Sequence, residues 1–273
     1  ITSCCPGWVK FCEHNYPDLL ENLSSAKSPM SMFSAIAKSY YVEEMDLDED
    51  ELYVVGVMPC TAKKFEMNRD ELIETGSETD AVITTRELVR MIKEVGLDFA
   101  NLEGREYDDM MGTSTGAANI FGTTGGVAEA SLRTVKEELT GESLGRLDLG
   151  FEGINEAEIE IGDETVNVAI ANGLSNAAEI LDEVREGNSK YDFIEVMACP
   201  YGCVGGGGQP VPATDERKRK RGEGLKNMDG AKTIRKSHEN PEILKLYDEF
   251  LGEPLSGESH HLLHTRYKER ERN

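Results

Sequence analysis

Five of the six cysteines lie in three short motifs that are far apart in the chain. The motifs are TSCCPGW with Cys4 and Cys5, MPCTAKKFE with Cys60, and EVMACPYGCVGGGGQP with Cys199 and Cys203. Cysteine thiolates bind soft metals and iron–sulfur clusters. A glycine run lets the backbone come close to a bulky group and reach positive φ. The pattern therefore predicts one metal or cluster site to which several segments contribute.

Three kinds of cysteine site are open at this point, and an iron–sulfur cluster is favoured among them. Structural zinc usually draws its ligands from two C-x2–4-C knuckles, whereas here two of the segments can each donate a single thiolate. A disulfide framework or a set of inert thiols is the remaining alternative, and the acidic chain has the character of a protein from a reducing compartment. Cys12 has no motif partner, so it is interpreted as an ordinary residue of a helix.

Two of the motifs follow short apolar runs that are typical of buried strands. The run Tyr191–Met197 leads to Cys199, and the run Leu52–Val57 leads to Cys60. The carboxyl ends of parallel strands form a crevice where ligands bind. The sequence thus predicts an α/β fold with two lobes, each a small sheet flanked by helices, and with the cluster in the cleft between them.

The rest of the chain supplies the elements around these strands. Asp80–Thr84 predicts a further strand, and the alternating segment 156–173 predicts a β-hairpin that turns at Gly162 and Asp163. Apolar residues at helical spacing predict helices over Met32–Met45, Thr85–Val95, Val127–Leu139, Ser175–Glu186 and Pro241–Leu251.

Composition excludes several functions. The chain of 273 residues has a formal charge of −23, which argues against nucleic acid and anionic membrane surfaces. No apolar run reaches the length of a membrane span. The chain starts at Ile1, almost inside a motif, and is interpreted as a fragment or processed chain. The cytoplasm is the expected location, with periplasmic or organellar targeting left open.

Taken together, the three motifs resemble the active-site domain of [FeFe]-hydrogenases, which carries the same motifs in the same order. The segments LSSAKSP (23–29), FGTTGGVAEASLRT (121–134) and the tail 236–267 are also similar to that family. The resemblance covers nearly the whole chain. It implies an H-cluster catalytic domain over residues 1–212 and a wrapping segment, similar to the family's small subunit, over residues 213–273.

The resemblance implies a cofactor and a reaction. The implied ligands of a [4Fe-4S] cluster are Cys5, Cys60, Cys199 and Cys203. The sulfur of Cys203 would also bridge to a diiron subcluster bearing CO, CN and a bridging dithiolate amine, which completes the H-cluster. The implied reaction is the reversible reduction of protons, 2H⁺ + 2e⁻ ⇌ H2, of the ferredoxin hydrogenase type.

Cys4 is expected to be a free thiol. Successive side chains diverge, so Cys4 and Cys5 cannot easily bind one metal together. By resemblance, Cys5 is the ligand and Cys4 passes protons. A free thiol has a pKa of about 8.5 that its surroundings can move, so it can exchange protons near neutral pH. The alternative is that Cys4 is a small buried hydrophobic residue.

Further residues gain implied roles in the same way. Lys63 would bind a cyanide ligand, Ser24 would serve the proton path, and Ser28 would contact the bridging ligand. The residues implied to pack around the diiron unit are Pro29, Met58, Pro59, Phe121 and Met197. Each of these residues has a structural alternative. The alternative for Lys63 is a solvent-exposed lysine, for the two serines it is a turn or cap residue, and for the others it is a place in the apolar core. Glu66 either pairs with Lys63 or caps its helix locally.

The implied partners are ferredoxin or NAD(P)H-linked electron-transfer subunits, together with H-cluster maturation proteins. The run RKRKR (217–221) is interpreted as a solvated helix face, with a docking patch for an acidic electron carrier as the alternative. His260, His261 and His264 are given a structural role. Two other functions stay open, a hydrogen sensor and an iron–sulfur assembly relative without hydrogenase activity.

Overall fold

The computed structural model describes residues 1–271 apart from 77, 106, 108–110 and 148–149. Its strands are β1 (Val55–Met58), β2 (Ala81–Thr84), β3 (Ile154–Ile161), β4 (Glu164–Asn172) and β5 (Phe193–Met197). Strands β1 and β2 pair in parallel, with Val55 opposite Ala81. In a second sheet, β4 lies between β3, which is antiparallel to it, and β5, which is parallel. The predicted α/β fold with small sheets is confirmed.

Helices flank both sheets. They are α1 (Pro6–Asn15), α2 (Pro29–Ile36), α3 (Val42–Glu44), α4 (Lys63–Glu66), α5 (Asp70–Ile73), α6 (Thr85–Glu94), α7 (Gly116–Ile120), α8 (Gly126–Thr140), α9 (Leu174–Arg185), α10 (Asp215–Ala231), α11 (Pro241–Leu246) and α12 (Gly257–Leu263). Turns of π-helix, Ala37–Tyr41 and Tyr247–Leu251, continue α2 and α11. Turns of 3-10 helix cover Pro17–Asn22, Glu49–Glu51, Phe99–Asn101, Gly202–Gly205 and Ser237–Glu239.

The predicted elements are confirmed with shifted ends. Strand β1 begins at Val55 rather than Leu52, and α2 begins at Pro29 rather than Met32. The earlier helix start has a local cause, because Ser28 accepts a hydrogen bond from the N–H of Ser31 and proline suits the first helical position. Helix α6 carries a complete capping box, which its sequence had predicted.

The main core lies between the larger sheet and helices α1 and α9. Trp8 of α1 is fully buried, and it packs in one cluster with Leu181 of α9 and Val196 of β5. Aromatic and aliphatic burial of this size contributes about 1.5–3 kcal/mol per side chain. The helix that carries the first cysteine motif is thereby fixed against the strand that carries the third.

The segment after residue 213 packs onto the rest of the chain. Asp229 of α10 accepts hydrogen bonds from Arg133 of α8 at 2.8 Å. Near the end of the chain, Arg270 donates to the buried Glu13 of α1 at 2.8 Å. His264 hydrogen-bonds to Ser25 at 2.8 Å, which agrees with the structural role given to this histidine. The tail therefore holds α1 from outside.

No helix in the described ranges combines the length and the apolar character that crossing a membrane requires.

Glu195 is a fully buried carboxylate in β5. Its two oxygens accept from the N–H groups of Gly125 and Ala128, at 2.7 and 2.8 Å, at the start of α8. Burial raises the pKa of Glu195 to about 7, and these backbone donors act in the opposite direction. The carboxylate thus joins α8 to the strand that leads to Cys199.

Replacing Glu195 by glutamine (E195Q) is expected to lower the free energy of unfolding by about 1–3 kcal/mol, because the amide nitrogen would face a backbone N–H and leave a buried donor unpaired. Urea unfolding of the cluster-free protein at pH 8 measures the change. The matched control is E158Q, since Glu158 is exposed on β3. Equal urea midpoints for E195Q and E158Q would contradict the assignment.

Candidate active site

The first cysteine motif is attached to the end of β5. The N–H of Thr2 donates to the carbonyl of Ile194 at 2.9 Å, which aligns the start of the chain with that strand. Cys5 directly precedes α1. A Cβ placed on Gly7 would lie 3.3 Å from the Cβ of Ala198, so the first turn of α1 touches the residue before Cys199. The first and third motifs therefore meet.

The second motif meets the glycine run of the third through backbone contacts. The N–H of Gly208 donates to the carbonyl of Pro59 at 2.9 Å. A Cβ on Gly206 would overlap the carbonyl oxygen of Pro59, and a Cβ on Gly208 would lie 2.8 Å from its carbonyl carbon. Only glycine permits this approach. Cys60, which follows Pro59, is thus placed beside the third motif.

The third motif also packs against the glycine-rich loop before α8. Gly202 has φ +76°, and a Cβ there would lie 2.8 Å from the backbone nitrogen of Thr124. The N–H of Val204 donates to the carbonyl of Gly122 at 3.1 Å. Cys203 lies between these two contacts, in a turn of 3-10 helix. The loop 122–124 therefore backs the turn that holds Cys203.

The thiols of the three motifs interact electrostatically. Burial raises the pKa of Cys203 to about 12, and the neighbouring Cys5 and Cys60 add to the increase. Burial also raises the pKa of Cys5 and of Cys199. Backbone N–H groups of Ala198 and Trp8 hydrogen-bond to Cys5, and that of Gly207 to Cys199, and they oppose this effect. Such donors suit sulfurs that carry negative charge.

The spacing of the thiols disfavours zinc. Four thiolates on one zinc ion, with Zn–S bonds of about 2.3 Å, place their sulfurs only ~3.8 Å apart. Within the described part of the chain, three ligand atoms of His, Cys, Asp or Glu come within 4.8 Å of one another only at Glu137, His238 and Glu239. All six cysteines are free thiols. The wider spacing in the motifs fits a cluster better than a single ion.

Cys4 lies beside a buried lysine. The ammonium group of Lys63, at the start of α4, donates to the carbonyl of Cys4 at 3.3 Å and to the carboxylate of Glu66 at 2.8 Å. Burial strongly raises the pKa of Cys4, while the positive charge of Lys63 lowers it. Lys63 is only 8% exposed, so it is not a solvated helix-start lysine, and its contact with a cofactor stays a prediction. Glu66 pairs with it, as one sequence interpretation proposed.

The two predicted serines lie in different surroundings. Ser28 is buried and donates to Glu66, so it belongs to the same network as Lys63. Ser24 is exposed, and its hydroxyl accepts from the N–H of Ala26 at 3.3 Å. The hydroxyl of Tyr267 donates to the carbonyl of Ser24 at 2.7 Å. Ser24 thus lies at the protein surface, and its place on a proton path stays a prediction.

The predicted packing residues lie in two different places. Met197 is buried at the end of β5, and Met58 is half-buried at the end of β1, directly before Pro59. Pro29 and Phe121 lie apart from these in sequence, yet both line one mainly apolar cavity of about 790 Å³. Their contacts with a cofactor stay predictions.

Comparison with known proteins agrees with this geometry. Residues 1–207 match the family model "Iron only hydrogenase large subunit, C-terminal domain", and residues 215–270 match "Iron hydrogenase small subunit". The chain belongs to the iron-only hydrogenase family. The predicted resemblance is confirmed, and membership implies that the cysteine motifs hold iron–sulfur chemistry.

Individual members of the iron-only hydrogenase family and one related group are similar over nearly the whole chain. The present chain is 50% identical to the NADP-reducing hydrogenase subunit HndD of Solidesulfovibrio fructosivorans, over 100% of this chain and 47% of that one. It is 46% identical to iron hydrogenase 1 of Clostridium pasteurianum, over 98% and 48%. Protein NAR1 of Arabidopsis thaliana is 32% identical, over 98% and 61%. The chain thus spans about half the length of the first two.

Among solved structures, the apo [FeFe]-hydrogenase HydA1 of Chlamydomonas reinhardtii superposes with a TM-score of 0.86 at 42% identity. The alignment covers 99% of this chain and 76% of that one. The likeness therefore covers the fold of nearly the whole chain.

Sequence reasoning missed two supports of the site. Ser31 of α2 donates to Glu66 at 2.8 Å, and Glu195 holds the strand before Cys199. Ser31 follows Ser28 at helical spacing, but no local signal shows that a carboxylate more than thirty residues later faces both. Glu195 had a signal, because an acidic residue inside an apolar strand is rarely buried without a partner.

The variant C203S is expected to lose most of its [4Fe-4S] content after reconstitution, because a cluster with three thiolates is bound weakly. Iron and sulfide analysis with the visible absorption of the cluster measures this loss. The matched control is C12S, which also changes a buried thiol but lies in α1, outside the motifs. Equal cluster content in C203S and the unmodified protein would contradict the ligand set.

Proposed function

We propose that this chain is the catalytic domain of an [FeFe]-hydrogenase that interconverts protons and hydrogen, 2H⁺ + 2e⁻ ⇌ H2. One observation carries the proposal: four cysteines from three distant segments meet beside a fifth cysteine that contacts a buried lysine. Family membership supports it. The division into a catalytic domain over 1–212 and a small-subunit-like segment over 213–273 belongs to the same proposal.

The proposed cofactor is the H-cluster, held as [4Fe-4S] by Cys5, Cys60, Cys199 and Cys203. When bound, a [4Fe-4S] cluster joined to a diiron subcluster supplies electrons and an open iron site for proton reduction. The residues present fit such a group, because their thiols are spaced more widely than a single ion requires and backbone N–H groups point at two of the sulfurs. The CO, CN and dithiolate amine composition is proposed from the family resemblance.

The proposed task of Cys4 is to hold and release a proton at its Sγ atom. Cys4 is proposed to stay outside the ligand set, so that its thiol is free to carry a proton, and burial raises its pKa. Lys63 would bind an anionic ligand of the cofactor with its ammonium group. Ser24 is proposed to serve the proton path, and Ser28 to contact the bridging ligand of the diiron unit.

The apolar residues have a separate proposed task, the exclusion of water. Met58, Pro59 and Met197 close the ends of β1 and β5. Pro29 and Phe121 form part of an apolar cavity wall. A dry site strengthens the electrostatic interactions made inside it, because water no longer screens them.

Two other functions compete with this one. An iron–sulfur assembly protein of the NAR1 type would be a cluster carrier, and a hydrogen sensor would use the same site for regulation. The contact between Cys4 and Lys63 favours the enzyme, because a carrier needs neither a free thiol nor a buried cation beside its cluster. The alternatives become outcomes of the following experiment.

In the matured full-length protein, the variant C4A is expected to keep the infrared bands of metal-bound CO and CN and to lose hydrogen evolution by about 100-fold or more. The reason is that alanine has no proton to give. C12A is the control and is expected to keep its activity. Full turnover in C4A would refute the role of Cys4. A [4Fe-4S] signal without CO and CN bands in the unmodified protein would favour the carrier function.

The proposed electron partners are ferredoxin or NAD(P)H-linked subunits, and α10 is the proposed docking surface. Its basic run lies on the turn that holds Cys203. Arg221 donates to the carbonyl of Val204 at 3.2 Å, and the ammonium of Lys218 lies 5.0 Å from the ring centre of Tyr201. Arg219 and Lys220 are exposed. An acidic carrier bound here would face the cluster across one layer of side chains.

The variant K220E is expected to raise the KM for an acidic carrier about threefold to tenfold at low salt, with little effect at high salt. Activity with a small viologen dye should not change. The control is K190E, because Lys190 is an exposed lysine paired with a glutamate, as Lys220 is, but it lies beside the β3–β4 hairpin. Equal KM values for K220E and K190E would remove α10 as the docking surface.

The remaining proposals concern the cell. The six free cysteines suit a reducing compartment, so the cytoplasm is the proposed location. Assembly of the diiron subcluster is assigned to dedicated H-cluster maturation proteins.

A further inference from the structure

Glu66 is a buried carboxylate on which three side chains converge. It is 5% exposed, at the end of α4. Its Oε1 atom accepts from the hydroxyl of Ser31 at 2.8 Å and also from the hydroxyl of Ser28. The ammonium of Lys63 donates to both carboxylate oxygens, at 3.0 and 2.8 Å. The carboxylate therefore ties α4 to the first turn of α2.

Such a buried pair is rigid for energetic reasons. Removing one partner of a buried ion pair leaves the other charge uncompensated, which is strongly unfavourable. The hydroxyls of the two serines donate to lone pairs of Glu66 that the ammonium of Lys63 leaves without a hydrogen bond. Lys63 and Ser28 cannot rotate away without breaking a charge-assisted hydrogen bond.

Two of the three side chains that bond to Glu66, Lys63 and Ser28, are also those proposed to contact the diiron unit. Lys63 keeps one further contact, to the carbonyl of Cys4, and at 3.3 Å it is the longest of its three hydrogen bonds. The N–H of Lys63 that makes this longest hydrogen bond is the one that an anionic ligand can most easily take over. The carboxylate of Glu66 keeps the two shorter hydrogen bonds of the ammonium.

We propose that Glu66 is a positioning residue that orients Lys63 and Ser28 together, so that both present their donors to one ligand. Its effect on the cofactor rests on the proposed hydrogenase function, whereas its hold on Lys63 does not. Ser31 is the secondary support, because its only assigned partners in this network are Glu66 and Ser28.

The hold on Lys63 is tested in the folded, cluster-free full-length protein by limited acetylation with acetic anhydride, read by mass spectrometry. Lys64 is the internal reference, since it is adjacent and its side chain is 43% exposed. We expect the reactivity of Lys63 relative to Lys64 to rise about fivefold or more in E66Q, because the neutral amide no longer binds the ammonium. E66D, which keeps the charge, should give a smaller rise.

Two serine variants separate this effect from a general loosening of the structure. S31A removes one donor to Glu66 and is expected to raise the reactivity ratio of Lys63 by less than E66Q does. S34A is the matched control, because Ser34 is a buried serine of the same helix that bonds to Met30 and Thr79 instead. S34A should leave the ratio unchanged.

In matured protein, E66Q should shift the infrared bands of metal-bound CN, E66D should shift them less, and S34A not at all. An unchanged Lys63 ratio and unmoved bands in folded E66Q would overturn the proposal. If E66Q does not fold, the serine variants decide instead. Equal reactivity of Lys63 relative to Lys64 in S31A and S34A then overturns the proposal. If the unmodified protein shows no CN bands, the hydrogenase function fails, while the acetylation result still decides whether Glu66 holds Lys63.

Discussion

The site depends on one close approach of two backbones. Gly206 and Gly208 lie against Pro59 at distances that leave no room for a Cβ atom. This contact joins the end of β1 to the loop after β5, and thereby the small parallel sheet to the larger one. A side chain at either glycine would push Cys60 away from Cys203. Cys60 and Cys203 can come together only because the third motif has no side chains at the point of contact.

Buried charges fix the elements that meet there. Glu195 connects the strand before Cys199 to α8, and Glu13 connects α1 to Arg69 and to Arg270 of the tail. Buried carboxylates are costly unless every oxygen is satisfied, so each of these contacts tolerates little displacement. Apolar packing alone would leave more freedom, because it is not directional. The cysteine motifs are therefore held by directional bonds on both sides.

Local sequence patterns predicted those structural features that depend only on neighbouring residues. The strand before Cys199, the capping box of α6 and the turn at Gly162 are encoded within a few residues, and each was found in the structure. The contact between Ser28 and Glu66 joins residues 38 positions apart, so periodicity could not reveal it. The hydrogen bond from Tyr267 to the carbonyl of Ser24 likewise joins residues far apart in the chain.

The electrostatics of the pocket also indicate what kind of group it receives. Burial raises the pKa values of Cys5, Cys199 and Cys203, and neighbouring thiols add to the increase, so the protein does not stabilise these three as bare thiolates. A ligand that brings positive charge must replace the lost protons, which couples its binding to proton release. Under the proposed ligand set, iron would supply that charge at Cys5, Cys60, Cys199 and Cys203. Burial opposes the loss of the Cys4 proton, whereas the positive charge of Lys63 favours it.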